Sequence, residues 1–383
     1  MSDRSPLRVL ALLEAASITG TAKAVLEMAY EARADVIGER KIEIIVAIFA
    51  RGEGTIDTIL TRALAAAQIP FSLIREKGRF DNSVIPQIRG LMKKYDAQLI
   101  WTNSVKSHFL VNRAHVQKSA RWVAFHHGYT STDFKMRLYN ELDRISLRHA
   151  DRVLTVCLPF ASQMESRGVP MSRVRVQHMP IRPFSNPAGD GLKLRSELQI
   201  PAQAKVILSV GRLSHEKGHL DLLTAFVLLQ EQLPEDRLCL LLVGDGPERA
   251  NLERQAALSS CAEHIVFAGH RDDVKRFYGI ADVFALPSYT EGTPNVLLEA
   301  MAAAVPVVAT AVGGVPELVT DSRNAILVPA RNPSELAKAL QKVLQSAALR
   351  NELVRDAAEV VEAHDPRAYF ERMRVIFTEV VEK

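Results

Sequence analysis

The stretch EGTPNVLLE, Glu291 to Glu299, carries a carboxylate at each end and a helix-start signal between them. Thr293 is an N-cap type and Pro294 suits the first helical position, so Asn295, Val296 and Leu297 would offer free backbone N–H groups to an anion. Glu291 falls in the loop before the cap and Glu299 in the second turn, where both can reach one mouth without sharing a helical ridge. Carboxylates repel phosphate but accept hydrogen bonds from hydroxyls. The combination therefore fits a ligand with a diphosphate at its centre and polyols on both sides, such as a nucleotide sugar. The plainer alternatives are a dipole-favoured carboxylate for Glu299 and a solvated loop residue for Glu291.

Other segments could serve the same ligand. SVGRLSHEKGHLDLLTAF (209–226) places Gly211 at a strand end, Arg212 after it, and Lys217 before a helix. Glycine admits a bulky anion and two cations balance a diphosphate; solvated cations at a helix start would look the same. LLVGDGPERANLE (241–253) is a tight strand-to-helix turn in which Gly246 is a weaker candidate for ligand contact. ATAVGGVPELV (309–319) offers a second glycine-rich turn, read as a wall on the sugar side. In the first half, Gly20 with Thr21 in SITGTAKAVLEMA (17–29) could form a loop over a substrate before a helix begins. WVAFHHGYT (122–130) ends a strand with His126 and His127, which should point to opposite faces. One of them could bond a sugar hydroxyl or steady a charged transition state.

These segments need a scaffold that presents them at strand ends. Apolar runs at 7–13, 41–49, 97–102, 121–127 and 151–157 alternate with helix-period segments, as in a parallel α/β sheet. The alternation restarts after the Pro- and Gly-rich MPIRPFSNPAGDG (179–191), with runs at 204–211, 237–244, 264–269, 282–287, 306–310 and 325–330. This implies two Rossmann-like, doubly wound domains, 1–183 and 184–365, with ligands outside the carboxyl ends of the strands in an interdomain cleft. The last helix pattern, 366–383, could finish the second domain or cross back to the first.

Composition sets outer limits. The chain has 383 residues, 48% hydrophobic and 24% charged, enough for two domain cores and without low-complexity tracts. Three scattered cysteines suggest neither a disulfide framework nor a zinc site, and a reducing, cytoplasmic compartment fits. Glu14 interrupts the first apolar run, which favours a β-strand over a signal peptide, and no uninterrupted apolar run reaches membrane-spanning length. Residues 1–190 hold 27 Lys+Arg against 18 Asp+Glu, while residues 191–383 hold 21 against 26. The basic half would suit an anionic acceptor or peripheral contact with a membrane surface; scattered solvated charge is the bland reading. No nucleic acid partner is expected.

GRLSHEKG, VGDGPE and PSYTEGTPNVLLEAMAAAVPVVATAVGGVPE, in this order, resemble the family-4 retaining glycosyltransferases of GT-B fold, the glycosyl transferase group 1. The resemblance is dense over about 205–345 and thinner over 1–180. It implies that Arg212 and Lys217 bind the donor diphosphate, Glu299 the ribose and Glu291 the donor sugar, with phosphate-facing amides from Thr293 to Leu297. It also implies that His127 is the catalytic-side histidine, with His126 in reserve. The expected activity is retaining transfer from a UDP- or GDP-sugar to a sugar, polysaccharide or lipid-linked acceptor. No cofactor or divalent metal is expected, because the cations face the leaving group and no DxD follows a strand in the first domain. A sugar-nucleotide epimerase, a phosphorylase or a non-catalytic nucleotide-sugar binding subunit are the rivals. Three departures from the family pattern stand out. Ala304 replaces a usual Gly, read as a harmless packing change; Cys157 replaces a usual Ser; and VQHMPIRPF (176–184) lacks an Asn-Gly.

Overall fold

Most of the apolar runs become strands because they are buried on both faces, as a parallel sheet covered by helices requires; the run at 264–269 forms an edge strand and is only partly buried. In the computed structural model, which describes residues 5–14, 20–35, 40–52, 57–78, 81–128, 134–184, 190–234 and 237–383, the chain forms two compact units. They comprise residues 1–180 with 366–383, and residues 181–365.

The first unit contains β1 (Leu7–Leu13), β2 (Ile42–Arg51), β3 (Phe71–Glu76), β4 (Leu99–Thr102), β5 (Arg121–His126), β6 (Arg152–Thr155) and β7 (Val174–Val176). They form one parallel sheet in the order β3-β2-β1-β4-β5-β6-β7. The second unit contains β8 (Lys205–Val210), β9 (Leu238–Val243), β10 (Ile265–Gly269), β11 (Val283–Leu286), β12 (Val307–Thr310) and β13 (Ile326–Val328). Their order is β10-β9-β8-β11-β12-β13, again parallel. In each sheet the order reverses once, between β1 and β4 and between β8 and β11. The carboxyl ends at such a reversal are where open α/β sheets bind ligands.

Two strands escaped the sequence reading, and both are edges of the first sheet. β3 is FSLIRE and β7 is VRV; each is only partly buried, so polar side chains break the apolar run that marks a central strand.

The terminal helix Pro366–Glu382 packs into the first unit. Its apolar stripe, Tyr369, Phe370, Met373, Phe377 and Val380, joins the core beneath β1, β2 and the helix Gly20–Ala34. Phe377 meets Trp101 of β4 edge-on at 5.6 Å, and Arg367 Nη2 lies 2.9 Å from the buried Asp35 Oδ1. Packing of the two long helices against each other is what draws the chain's end back to its first domain.

The helix Gly20–Ala34 corrects one expectation. Gly20 and Thr21 lie in its first turn, not in a loop preceding it, and Ser17, Ile18 and Thr19 of the same motif fall outside the described residues.

Candidate active site

The second unit gathers its candidate residues at the β8/β11 reversal. The loop after β8 runs through Gly211 and Arg212 into a single 3₁₀ turn, His215–Lys217, and then into the helix His219–Gln232. Gly218 joins the two with φ +66, and a Cβ there would stand 2.1 Å from the carbonyl oxygen of Pro287, which follows β11. Only glycine lets the two loops touch in this way. The Tyr289 N–H donates to the Glu216 carbonyl at 2.8 Å, closing the same contact.

This loop contact delivers Lys217 to Glu291. The Lys217 Nζ lies 2.7 Å from Glu291 Oε1, and the Ser288 hydroxyl donates to the same oxygen at 2.6 Å. Glu291 is 7% exposed and Ser288 fully buried, so the carboxylate sits in a low-dielectric setting with two short donors fixing it. The backbone at Glu291 is held as well. Its carbonyl accepts from the Gly314 N–H at 3.2 Å, and a Cβ on Gly313, at φ +55, would come within 1.8 Å of that oxygen. The glycine pair read as a wall for the sugar thus also clamps the loop that carries Glu291.

Arg212 is exposed, and its charge favours the ionised form of nearby Glu216. Gly211 faces open space where a Cβ would stand, whereas Gly246 meets the Leu213 carbonyl at 2.3 Å. Gly246 is thus required for packing of the β9 turn against the β8 loop; the Leu213 N–H to Asp245 carbonyl bond, at 3.0 Å, belongs to that packing. His219, in the first turn of its helix, is buried beside Lys217. Burial first, and the neighbouring ammonium second, pushes its imidazole down to about 4.

The helix after Glu291 starts one residue later than the sequence suggested. It spans Asn295–Ala302, with Pro294 in the cap position in extended conformation (φ −74, ψ 102) and no side-chain cap bond, so Thr293 stands before the cap. The Pro294 carbonyl turns inward and accepts from the Leu297 N–H at 3.0 Å. Among the described residues the amides of Asn295 and Val296 have no backbone acceptor, which leaves these two, not three, as anion donors of the first turn. Glu299 lies in the second turn, 7% exposed, and its Oε2 accepts from the Tyr278 phenol at 3.0 Å.

The first unit presents the histidines at the carboxyl end of β5. They point to opposite faces. His126 is buried among helices, its Nδ1 3.4 Å from Asp143 Oδ2, while His108 Nδ1 lies 2.6 Å from Asp143 Oδ1. Burial would raise the Asp143 carboxyl, but the two imidazoles overcome this and hold it below the usual carboxylate range. Burial lowers His126, against the pull of Asp143. His127, just past the strand, stacks on Phe125 with ring centroids 4.4 Å apart, and its Nε2 has no hydrogen-bond partner among the described residues. Burial, with His126 and His108 nearby, pushes it down to about 3, so it is neutral near pH 7. Gly128 follows at φ +103, turned so that a Cβ would strike the Phe160 ring at 2.5 Å.

Ser288 and Tyr278, the partners of the two glutamates, were not singled out in the sequence, and neither were His108 and Asp143 beside His126. Ser288 stands three residues before Glu291, a spacing that gives no warning because the loop, not a helix, brings them together. Tyr278 is twenty-one residues before Glu299 and carries no local signal.

With this geometry in place, residues 192–360 match the family model described as glycosyl transferases group 1, and residues 19–179 match the glycosyl transferase 4-like domain. The second half of the chain thus carries a group 1 glycosyl transferase domain and the first half a glycosyl transferase 4-like domain. It is similar to LpsE, a lipopolysaccharide core biosynthesis glycosyltransferase of Rhizobium meliloti, with 33% identity over 184 residues, 47% of this chain and 52% of that protein. A D-inositol 3-phosphate glycosyltransferase of Nocardioides is 33% identical over 204 residues, 49% of this chain and 44% of that protein. The matched segments thus span about half the length of these curated relatives. Among solved structures, Anabaena HepE in complex with UDP-glucose superposes with a TM-score of 0.82 at 20% identity, covering 97% of this chain and 100% of HepE. WaaG, a glycosyltransferase involved in lipopolysaccharide biosynthesis, gives 0.69 at 18% identity, covering 97% and 100%. These likenesses establish the fold as GT-B, two Rossmann-like domains.

Proposed function

We propose that this chain transfers a sugar from a UDP- or GDP-sugar to the hydroxyl of a sugar, polysaccharide or lipid-linked acceptor, with retention at the anomeric carbon. The observation that carries the reading is the Lys217–Glu291 contact of 2.7 Å at the sheet reversal, beside the two open amides of the helix Asn295–Ala302. A cation, two N–H donors and a buried carboxylate at one place match a diphosphate joined to a hexose. The family match and the UDP-glucose bound by Anabaena HepE support it.

In this reading the acceptor oxygen bonds to the anomeric carbon on the face from which the diphosphate leaves, and a diphosphate oxygen takes the acceptor's proton. Charge grows on the diphosphate as the old bond breaks. Arg212, Lys217 and the Asn295 and Val296 amides offset it, and removing one such donor costs about a hundredfold in rate. Glu291 accepts from hexose hydroxyls and Glu299 from ribose. His127, neutral and with an unused Nε2 at the carboxyl end of β5, is available to a sugar hydroxyl. The cations make a divalent metal unnecessary.

The test is to incubate the protein with UDP- and GDP-sugars and a panel of sugar and lipid-linked acceptors, and to read the product's anomeric configuration by NMR. A retained configuration, formed equally with and without EDTA, is expected. An inverted product, or release of nucleotide only with added metal, would overturn the mechanism, and donor binding without transfer or hydrolysis would favour the non-catalytic binding subunit. Salt-sensitive binding to anionic vesicles is expected if the acceptor is lipid-linked and the basic first half meets the membrane surface.

A further inference from the structure

We infer that Tyr278 is the positioning residue for ribose recognition, acting through Glu299 without touching the donor; this rests on the proposed role of Glu299. Tyr278 ends the short helix Lys275–Tyr278, and its side chain is 1% exposed within the core of the second unit. The ring is wedged between Phe284 of β11 and Phe184, with centroids 5.9 and 6.1 Å away. No donor can reach it there.

Its hydroxyl, however, points at the ligand-facing helix. The Oη lies 3.0 Å from Glu299 Oε2 and 3.3 Å from the Val296 carbonyl oxygen. The phenol stays protonated, since burial first and the Glu299 carboxylate second raise it well above its ordinary range, and it therefore donates. The carboxylate is the closer and charged acceptor and takes the stronger bond.

A glutamate side chain has three rotatable bonds, and a carboxylate that must meet two adjacent hydroxyls works only in a narrow range of orientations. The phenol bond occupies one of about four acceptor positions on Glu299 and fixes the plane of the rest. Because the same hydroxyl contacts the Val296 carbonyl, it also ties the carboxylate to the turn that carries the open amides.

Tyr278→Phe removes this bond and preserves the ring packing. The measurement is calorimetric affinity for UDP and GDP, each beside its 2′,3′-dideoxy counterpart. The native protein should prefer the ribose form of its nucleotide by roughly tenfold or more, the worth of a hydrogen bond to a charged group. In Tyr278→Phe that preference should shrink to about threefold or less while dideoxy affinity is unchanged. In a Glu299→Ala background the tyrosine change should have no further effect, because the two residues act as one unit. An equal loss for ribose and dideoxy forms, an undiminished preference, or an additive effect with Glu299→Ala would overturn the inference. A native protein that binds a diphosphate without any ribose preference would instead overturn the role of Glu299 itself.

Discussion

Glu291 is the residue on which the local arrangement converges: Lys217 and Ser288 address its Oε1, and the Gly313–Gly314 turn clasps its backbone. If its carboxylate orients the donor sugar, Glu291→Gln should lower turnover by about a hundredfold or more with folding preserved, since the amide keeps the shape but loses the charge. Ser288→Ala, which removes one of two fixing bonds, should cost about tenfold. Initial rates of nucleoside diphosphate release check both, and a serine variant more damaged than the glutamine variant would contradict the assignment. That a helix starts between the two candidate glutamates was legible because the helix-start chemistry is local. Tyr278 and Ser288 were not, because their significance depends on a fold that brings separated residues into contact. Gly246 shows the complementary case: a glycine in a strand-end turn looks the same whether a ligand or another loop approaches it, and the Leu213 carbonyl lies close against it.

The helix Asn295–Ala302 shows how an element carries strain unrelated to its chemistry. Its exit is a Schellman turn: Val305 N–H to Ala300 carbonyl at 3.0 Å and Ala304 N–H to Met301 carbonyl at 3.0 Å. That turn requires a left-handed residue, and Ala304 occupies it at φ +57. The expectation that alanine here changes only packing is therefore corrected. Ala304 is exposed, and its Cβ opposes the backbone conformation itself. Ala304→Gly should stabilise the second unit by about 0.5–1 kcal/mol, after the added chain entropy of glycine, and leave turnover unchanged. Urea unfolding with a parallel rate assay reads both, and destabilisation would show that the strain is relieved in some other way. At the other end of the helix, Thr293 and Pro294 matched cap and first-turn preferences, yet the helix begins at Asn295, because the extended Pro294 turns its carbonyl toward Leu297. Propensity located the helix; its first hydrogen bond was set by the path of the preceding loop.

Across the whole molecule, the central strands were readable because burial on both faces leaves unbroken apolar runs, whereas edge strands β3 and β7 mix in charge and were missed. The terminal helix could not be placed from sequence, since its apolar stripe identifies a buried face without saying which core receives it. Buried histidines give the whole chain a pH dependence. His126, His127 and His219 all titrate below their ordinary value, chiefly through burial. An unfolded chain takes up these protons near pH 6.5, while folded His219 waits until about 4, so in that window the unfolded state binds more protons and stability falls as pH drops. His219 alone accounts for on the order of 3 kcal/mol across the window. Thermal midpoints between pH 7.5 and 4.5 should decline, and His219→Gln should flatten the decline; an unchanged slope would mean that His219 is not held neutral.

Calorimetric titration of the protein and of Lys217→Ala with UDP, GDP and ADP tests the site at the β8/β11 reversal most directly. UDP or GDP should bind, and the lysine variant should bind it at least tenfold more weakly, the loss expected for a charge-assisted bond to phosphate. If neither nucleotide binds, or if the one that binds does so equally well without Lys217, the site at the β8/β11 reversal is not a nucleotide-sugar site.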